Sequence, residues 1–223
     1  MARRDTRELI LATSLELFNE YGEPNVTTNH IADEADISPG NLYYHFRSKD
    51  GIVVELFKRF LSRFQPLIDI PDDILLQAED LWFQLHLSFE IKGEYRFLFR
   101  NLADLTARIP DLDRAMRALL ARERQAAANT LNGLESAGVL NIEAVEKNLL
   151  LDNMLVALTY WIPYSDLTDP SALSNGTAQV SAIARLMLMV APFLTEAEHT
   201  QFRAIAIRYL ESSCRSGPCP RFS

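Results

Sequence analysis

The chain has 223 residues, 48% of them hydrophobic, and a formal net charge of −8. That length suits one large domain or two small ones, with apolar content ample for a packed core. The acidic balance excludes a protein that coats nucleic acid through charge alone, so any such contact needs a local basic patch. Division after Arg63 changes little: eight Lys/Arg face ten Asp/Glu through Arg63, and fourteen face twenty after it. The local candidates are an arm of Arg3, Arg4 and Arg7, and the pair Arg47 and Lys49. No basic-then-apolar leader opens at Met1, and the apolar run Leu186–Leu194 is too short to span a bilayer and holds Pro192. A cytoplasmic protein with no membrane partner is the expectation. Cys214 and Cys219 lie in a Gly/Pro/Ser-rich tail without further ligands nearby, so they read as incidental rather than as a metal or redox pair.

In chain order the signals are helical. Asp5-x-x-Glu8 reads as a capping box, followed by Ile10, Leu11, Leu15, Phe18 and Tyr21 at helical spacing, with Gly22 as the stop. Thr27 or Thr28 caps a short second helix that buries Ile31, Ala32 and Ala35. Ser38 caps a third, starting at Pro39, with Leu42 and Phe46 on one face. Ser48 opens a longer helix whose stripe is Ile52, Val53, Leu56, Phe57 and Phe60, and which should weaken before Pro66. Further helices are expected over about 72–91, 95–107, 111–137, 142–162, 172–191 and 196–211, punctuated by proline and glycine. No stretch alternates with period two. The predicted fold is all-α: an N-terminal head over residues 1–63, a larger helical bundle over 64–213, and a flexible tail over 214–223.

The segment Ile37–Phe46, ISPGNLYYHF, places three polar-tipped rings on a helix barely two turns long. Two short helices joined by the tight linker Asp36-Ile37-Ser38 make a helix-turn-helix, whose second helix enters the major groove by its N-terminal end. With Leu42 and Phe46 inward, Gly40, Asn41, Tyr43, Tyr44 and His45 face outward. Small Pro39-Gly40 permits close backbone approach to a base pair. Tyrosine and histidine tips can donate to phosphate oxygens, and Lys49 can add a charge there.

Residues 10–57 resemble the TetR family of bacterial transcriptional regulators. The matching pieces are the Leu17-Phe18-x-x-x-Gly22 helix end, the Thr27-Thr28-x-x-Ile31-Ala32 helix, and the run from Leu42 and Tyr43 through His45, Phe46 and Lys49. Val53 stands near where that family usually has leucine. The resemblance implies that Asn29, Pro39, Gly40, Asn41 and Tyr43 read bases, and that Thr28, Tyr44, His45 and Lys49 anchor phosphates. It also implies a homodimer on palindromic operator DNA, most simply a repressor, released by a small molecule bound within the C-terminal bundle.

Candidate lining for that molecule is plentiful. Trp82, His86 and Phe89 share one helix face by spacing, Phe97 and Arg100 lie in an aromatic-rich patch, and Met154 and Trp161 follow another helix. An apolar cavity with His86 or Arg100 as its polar anchor would suit a hydrophobic or amphipathic effector. For the dimer, the segment Val180–Val190 is apolar on more than one face, through residues such as Ile183 and Met187. Leu155, Leu158 and Ile162 on the preceding helix would complete a four-helix interface.

Two rivals belong to other classes: a ligand-carrying bundle whose head binds protein, and a metallo-bundle enzyme. Glu196-x-x-His199 is half of a di-iron signature, but no second Glu-x-x-His exists. Thr195-x-x-Glu198, a capping box, accounts for the same residues. There is no G-x-S-x-G elbow, P-loop or G-x-G-x-x-G. No catalytic residue, cofactor or metal is expected.

Overall fold

The computed structural model describes residues 6–69, 78–169, 171, 176–196, 198–200, 202–204 and 207–208, with the side chains of 78–82 outside that description. Arg3, Arg4, the Asp5 cap, and the Cys214/Cys219 tail therefore lie outside the described residues. The described chain is helical, without a β-strand. Its residues group into two compact units, Met1–Phe64 with Glu94–Arg117, and Gln65–Gly93 with Ala118–Ser223. The first unit thus takes in a segment that the sequence reading places in the bundle.

In the first unit, α1 (Thr6–Tyr21) and a 3₁₀ turn (Glu23–Asn25) precede α2 (Thr28–Glu34) and α3 (Pro39–His45). α4 begins at Lys49 and extends to Ile68. Gly22, at φ 81° and ψ 138°, supplies the positive-φ residue after α1, a conformation that favours glycine. The turn between α2 and α3 uses Asp36 at φ 52° in the same role. Asp36 N donates to Asp33 O and Ile37 N to Ala32 O, the paired bonds of a Schellman ending. Aspartate tolerates this conformation better than most L-residues.

α6 (Arg96–Arg100) and α7 (Leu102–Arg108) complete this unit together with the start of α8 (Pro110–Ser136). The core is aromatic. Phe60 lies 5.2 Å from Phe64, 5.7 Å from Tyr95 and 5.6 Å from Phe99 between ring centroids, and Phe18 lies 5.2 Å from Phe97. The single helix expected over 95–107 is two, because the backbone departs from helix at Asn101 (φ −112°, ψ 24°).

The second unit holds most of α5 (Ala78–Glu94), the rest of α8, α9 (Ala144–Thr168) and α10 (Thr177–Val190). α8 ends in a Schellman turn at Gly138, where Gly138 N donates to Glu135 O and Val139 N to Leu134 O. α9 opens with a capping box between Glu143 and Glu146. Antiparallel bonds from Asn141 N to Phe193 O and from Thr195 N to Val139 O tie the turn after α8 to the end of α10. Two prolines fail to end their helices: α4 continues past Pro66, and α9 continues past Pro163 to Thr168. A proline removes one backbone bond, and beside Pro163 the buried Trp161 and Ile162 hold the helix in register.

Candidate nucleic-acid interface and effector site

Local caps fix the pair of short helices. Thr27 Oγ1 accepts from His30 N at 3.1 Å to start α2, and Ser38 Oγ accepts from Asn41 N at 3.2 Å to start α3. Leu42 is fully buried and Phe46 nearly so, which anchors the inner face of α3. The outer face then presents Pro39, Gly40, Asn41, Tyr43 and Tyr44 to solvent, with His45 half-buried. Tyr44 is 84% exposed and meets His45 edge-on at 5.2 Å. A ring that exposed contributes almost nothing to the core. From α2, Asn29 is exposed, and Thr28 Oγ1 lies 2.9 Å from Tyr43 Oη. That hydrogen bond orients the Tyr43 phenol.

Gly40 is informative because nothing inside the chain demands it. A Cβ there would meet only Ser38 Oγ, at 3.9 Å, and its φ is not left-handed. Its small size leaves room on the outside.

Lys49 occupies a different place from the other expected phosphate anchors. Its Nζ donates to Glu23 O at 2.8 Å and Val26 O at 3.0 Å, and lies 3.0 Å from Glu23 Oε1. Three oxygens match the three donors of an ammonium. Glu23 is fully buried and also accepts from Arg108 Nη2 at 2.9 Å. Arg108 Nη1 in turn donates to Asp50. Lys49 is therefore a strut between the start of α4 and the turn after α1. Sequence reading misses this hub because Arg108 is 85 residues from Glu23.

The expected effector residues fall into two groups. Phe97 and Arg100 belong to the first unit, where Phe97 is buried against Phe18, and Arg100 Nη1 donates to Asn19 O at 3.1 Å. In the second unit, Phe89 and Trp161 meet edge-on at 5.0 Å, and Met154 is buried on the same helix as Trp161. His86 is half-buried, and the Trp82 side chain lies outside the described residues. The same unit contains a buried ion pair that periodicity does not disclose. Lys92, with no exposed surface, donates to Glu123 Oε1 at 2.6 Å and to Leu158 O at 3.2 Å.

Among the expected dimer residues, Leu158, Ile162, Ile183 and Met187 are buried within one chain, and Leu155 and Val180 are half-buried. The first four have no surface left to offer a second copy. The opposite face of α9 does, through Val145, Leu149, Val156, Tyr160, Tyr164 and Leu167. At about 100° per residue these six form one stripe. Leu188 of α10 is also exposed, and Arg185 stacks over Tyr164 at 5.1 Å. The periodicity is visible in sequence, but it does not reveal that the inward face is used up within the chain.

The family model described as bacterial transcriptional repressor, TetR, matches residues 59–202, and the model for bacterial regulatory proteins, tetR family, matches residues 10–56. This chain belongs to the TetR family. A solved TetR-family transcriptional regulator from Marinobacter aquaeolei VT8 is 32% identical, covering 92% of this chain and 98% of that one with a TM-score of 0.84. The transcriptional repressor KstR2 of Mycolicibacterium smegmatis is 27% identical over 111 residues, 48% of this chain and 54% of KstR2. The match thus spans about half the length of that curated relative. The SmeT–triclosan complex, 18% identical with a TM-score of 0.58 over 86% of this chain and 93% of that one, shares the fold. Among the described residues, no helix is long and apolar enough to cross a membrane, and no cluster of three His, Cys, Asp or Glu could hold a metal.

Proposed function

We propose that this TetR-family chain is a ligand-responsive repressor that binds palindromic operator DNA as a homodimer in the cytoplasm. The observation that carries the reading is the outer face of α3: exposed polar rings beside a glycine whose size no internal contact requires. Asn29, Asn41 and Tyr43 reach base edges, Pro39 and Gly40 admit the backbone, and Thr28, Tyr44 and His45 hold phosphates. Lys49 supports the surface from behind. Residues 1–63 read DNA, and residues 64–213 bind the effector and the second copy. A dimer seated on a promoter represses by occupancy, without catalysis.

The exposed stripe on α9 supports dimerisation, since a contiguous apolar surface rimmed by polar residues marks an interaction site. Two copies related by a two-fold axis would present two α3 helices to half-sites separated by whole turns of duplex. KstR2 is named a repressor, and SmeT is the repressor of a Stenotrophomonas maltophilia multidrug efflux pump that has been captured with triclosan. A small apolar effector within the second unit fits that company. It releases DNA only in proportion to its preference for the unbound conformation.

Selection of bound duplexes from random DNA, followed by footprinting, tests the reading and yields an operator. Tyr43→Ala should then cost roughly 1–3 kcal/mol on the operator, leave scrambled duplex unaffected, and relax one position per half-site. Equal weakening on both duplexes would make Tyr43 a phosphate contact. No enriched palindrome, together with no effect of Tyr43→Ala, would remove DNA recognition by this face.

A further inference from the structure

Two buried polar atoms in the second unit have no hydrogen-bond partner among the described residues: Glu123 Oε2 on α8 and Trp161 Nε1 on α9. Both side chains are more than nine-tenths buried. A buried carboxylate oxygen or indole N–H left unmatched is costly, so such atoms are rare unless something else meets them. Contacts place them in one neighbourhood. Lys92 on α5 touches Glu123 and Leu158, and Phe89, one turn earlier on α5, touches Trp161, one turn beyond Leu158 on α9. α8 runs past α5 in the same register, since Thr130 Oγ1 donates to Gln84 Oε1. Three helices thus bring polar groups into one neighbourhood that also holds Phe89 and the Trp161 ring.

We infer that Glu123 Oε2 and Trp161 Nε1 are the polar anchors of the effector site, and that they select a neutral, mainly apolar molecule bearing a hydroxyl group. This rests on the reading of the second unit as the effector-binding part. Charge balance favours a neutral guest: the Lys92 ammonium already neutralises the Glu123 carboxylate. The donor count then calls for a group that both donates and accepts, of which a hydroxyl is the smallest. Oε2 can only accept from its guest, and Nε1–H can only donate. One hydroxyl placed within reach of both would satisfy both, donating its proton to Oε2 and accepting from the indole. An ether satisfies only the indole, and a hydrocarbon satisfies neither. The site therefore discriminates a hydroxyl compound from its methyl ether, as buried polar groups do against guests that leave them unmatched.

The test uses the full chain with phenol, naphthol and octanol, each against its methyl ether. Binding is followed by calorimetry and by the indole N–H signals of a proton–nitrogen correlation spectrum, with Trp161 assigned through Trp161→Phe. At least one hydroxyl probe should shift the Trp161 signal saturably and bind about tenfold more tightly than its ether, the scale of one buried hydrogen bond. Trp161→Phe, which keeps an aromatic ring, should weaken that probe about tenfold. Lys92→Met combined with Glu123→Leu, an apolar replacement of the whole pair that should fold, should abolish the preference for hydroxyl over ether. If no hydroxyl probe saturates, if ether and hydroxyl bind alike, or if the preference survives the double substitution, the inference falls and ordered water is the partner of these atoms. Operator release separates this from the wider reading. A compound that frees the operator without moving the Trp161 signal keeps the effector reading and overturns this site. A hydroxyl probe that binds as described without freeing the operator keeps the site and removes its regulatory role.

Discussion

The head and the bundle distribute polarity in opposite ways. Around α2 and α3, apolar side chains such as Ile31 and Leu42 are fully buried, and the polar tips of Asn29, Asn41 and Tyr44 face solvent. In the second unit, Lys92 and Glu123 are buried while Val156, Tyr160 and Leu167 are exposed on α9. The first arrangement suits a surface built to meet a polar partner such as duplex. The second is costly for a chain alone: buried charges are difficult to desolvate, and a bare apolar stripe gains by being covered. On the proposed function, the head is finished before its partner arrives, whereas the bundle is completed by what binds it.

The strongest way to break that contrast is to spoil the stripe. Val156 is 61% exposed, so Val156→Glu should leave the single chain folded. Sedimentation should show monomers, and operator affinity should fall on the order of a hundredfold or more because two linked half-site contacts become independent. A wild-type-sized dimer would show that α9 contributes another surface. Met187→Glu is the matching negative control: Met187 has no exposed area, so its substitution should unfold the chain instead of dissociating it.

Next in size is the ion pair. Lys92→Met leaves the buried Glu123 carboxylate without its counter-charge and should cost about 3–5 kcal/mol in denaturant unfolding. The combined Lys92→Met and Glu123→Leu protein should return to within about 1 kcal/mol of the parent, since well-packed apolar residues replace buried pairs at little cost. If the double substitution is as damaging as the single one, the pair is needed for packing and not kept for a guest.

These two features also mark where sequence reading stops. The inward turn of Leu42 and Phe46, the Ser38 cap and the Gly138 stop are legible because each is a local pattern within one or two helical turns. The exposed rings of α3 follow from the same spacing. On α9, however, apolar residues occupy both faces: Leu158 and Ile162 on one, Val156 and Tyr160 on the other. Periodicity identifies such a helix as buried twice over but cannot say which face meets its own chain. Lys92 and Glu123 stand 31 residues apart, and Glu23 and Arg108 stand 85 apart, with nothing local to pair them. Long-range polar partners are invisible for that reason. The same limit hides the grouping of Phe97 and Arg100 with the first unit, since their partners Phe18 and Asn19 come from α1.

A smaller effect separates the strut from the DNA-facing side chains. Lys49→Met removes two hydrogen bonds and an ion pair behind the head while Arg108 continues to pair Glu23, so stability should fall by about 1–3 kcal/mol. Operator affinity should weaken, but the slope of log affinity against log salt should stay as in the parent. A lost phosphate contact would instead reduce that slope by about 0.9. A change of that size would restore Lys49 to the phosphate-binding set and leave the head with no contact-free support at this position.

The smallest effect lies within the head and depends on pH. Arg7 Nη2 lies 2.9 Å from Glu55 Oε1, joining α1 to α4, and the Arg7 guanidinium also sits over the Phe46 ring at 5.2 Å. The hydrogen bond from Arg7 holds the Glu55 carboxyl below its ordinary value, against an opposing contribution from partial burial. A carboxyl whose titration is lowered by folding stabilises the fold at pH above its unfolded value, about 4.3, and loses that contribution as pH falls through its own lower titration. Glu55→Gln should therefore destabilise by less than about 1 kcal/mol at neutral pH, the scale of a partly exposed ion pair. The difference from the parent should hold between about pH 6 and 8, shrink on acidification below about pH 4, and shrink also in high salt. Thermal melts of both proteins across that range measure it. A difference that persists unchanged in acid would mean that the amide disturbs packing against α1, and that the pair of Arg7 and Glu55 contributes no charge-dependent stability to the head.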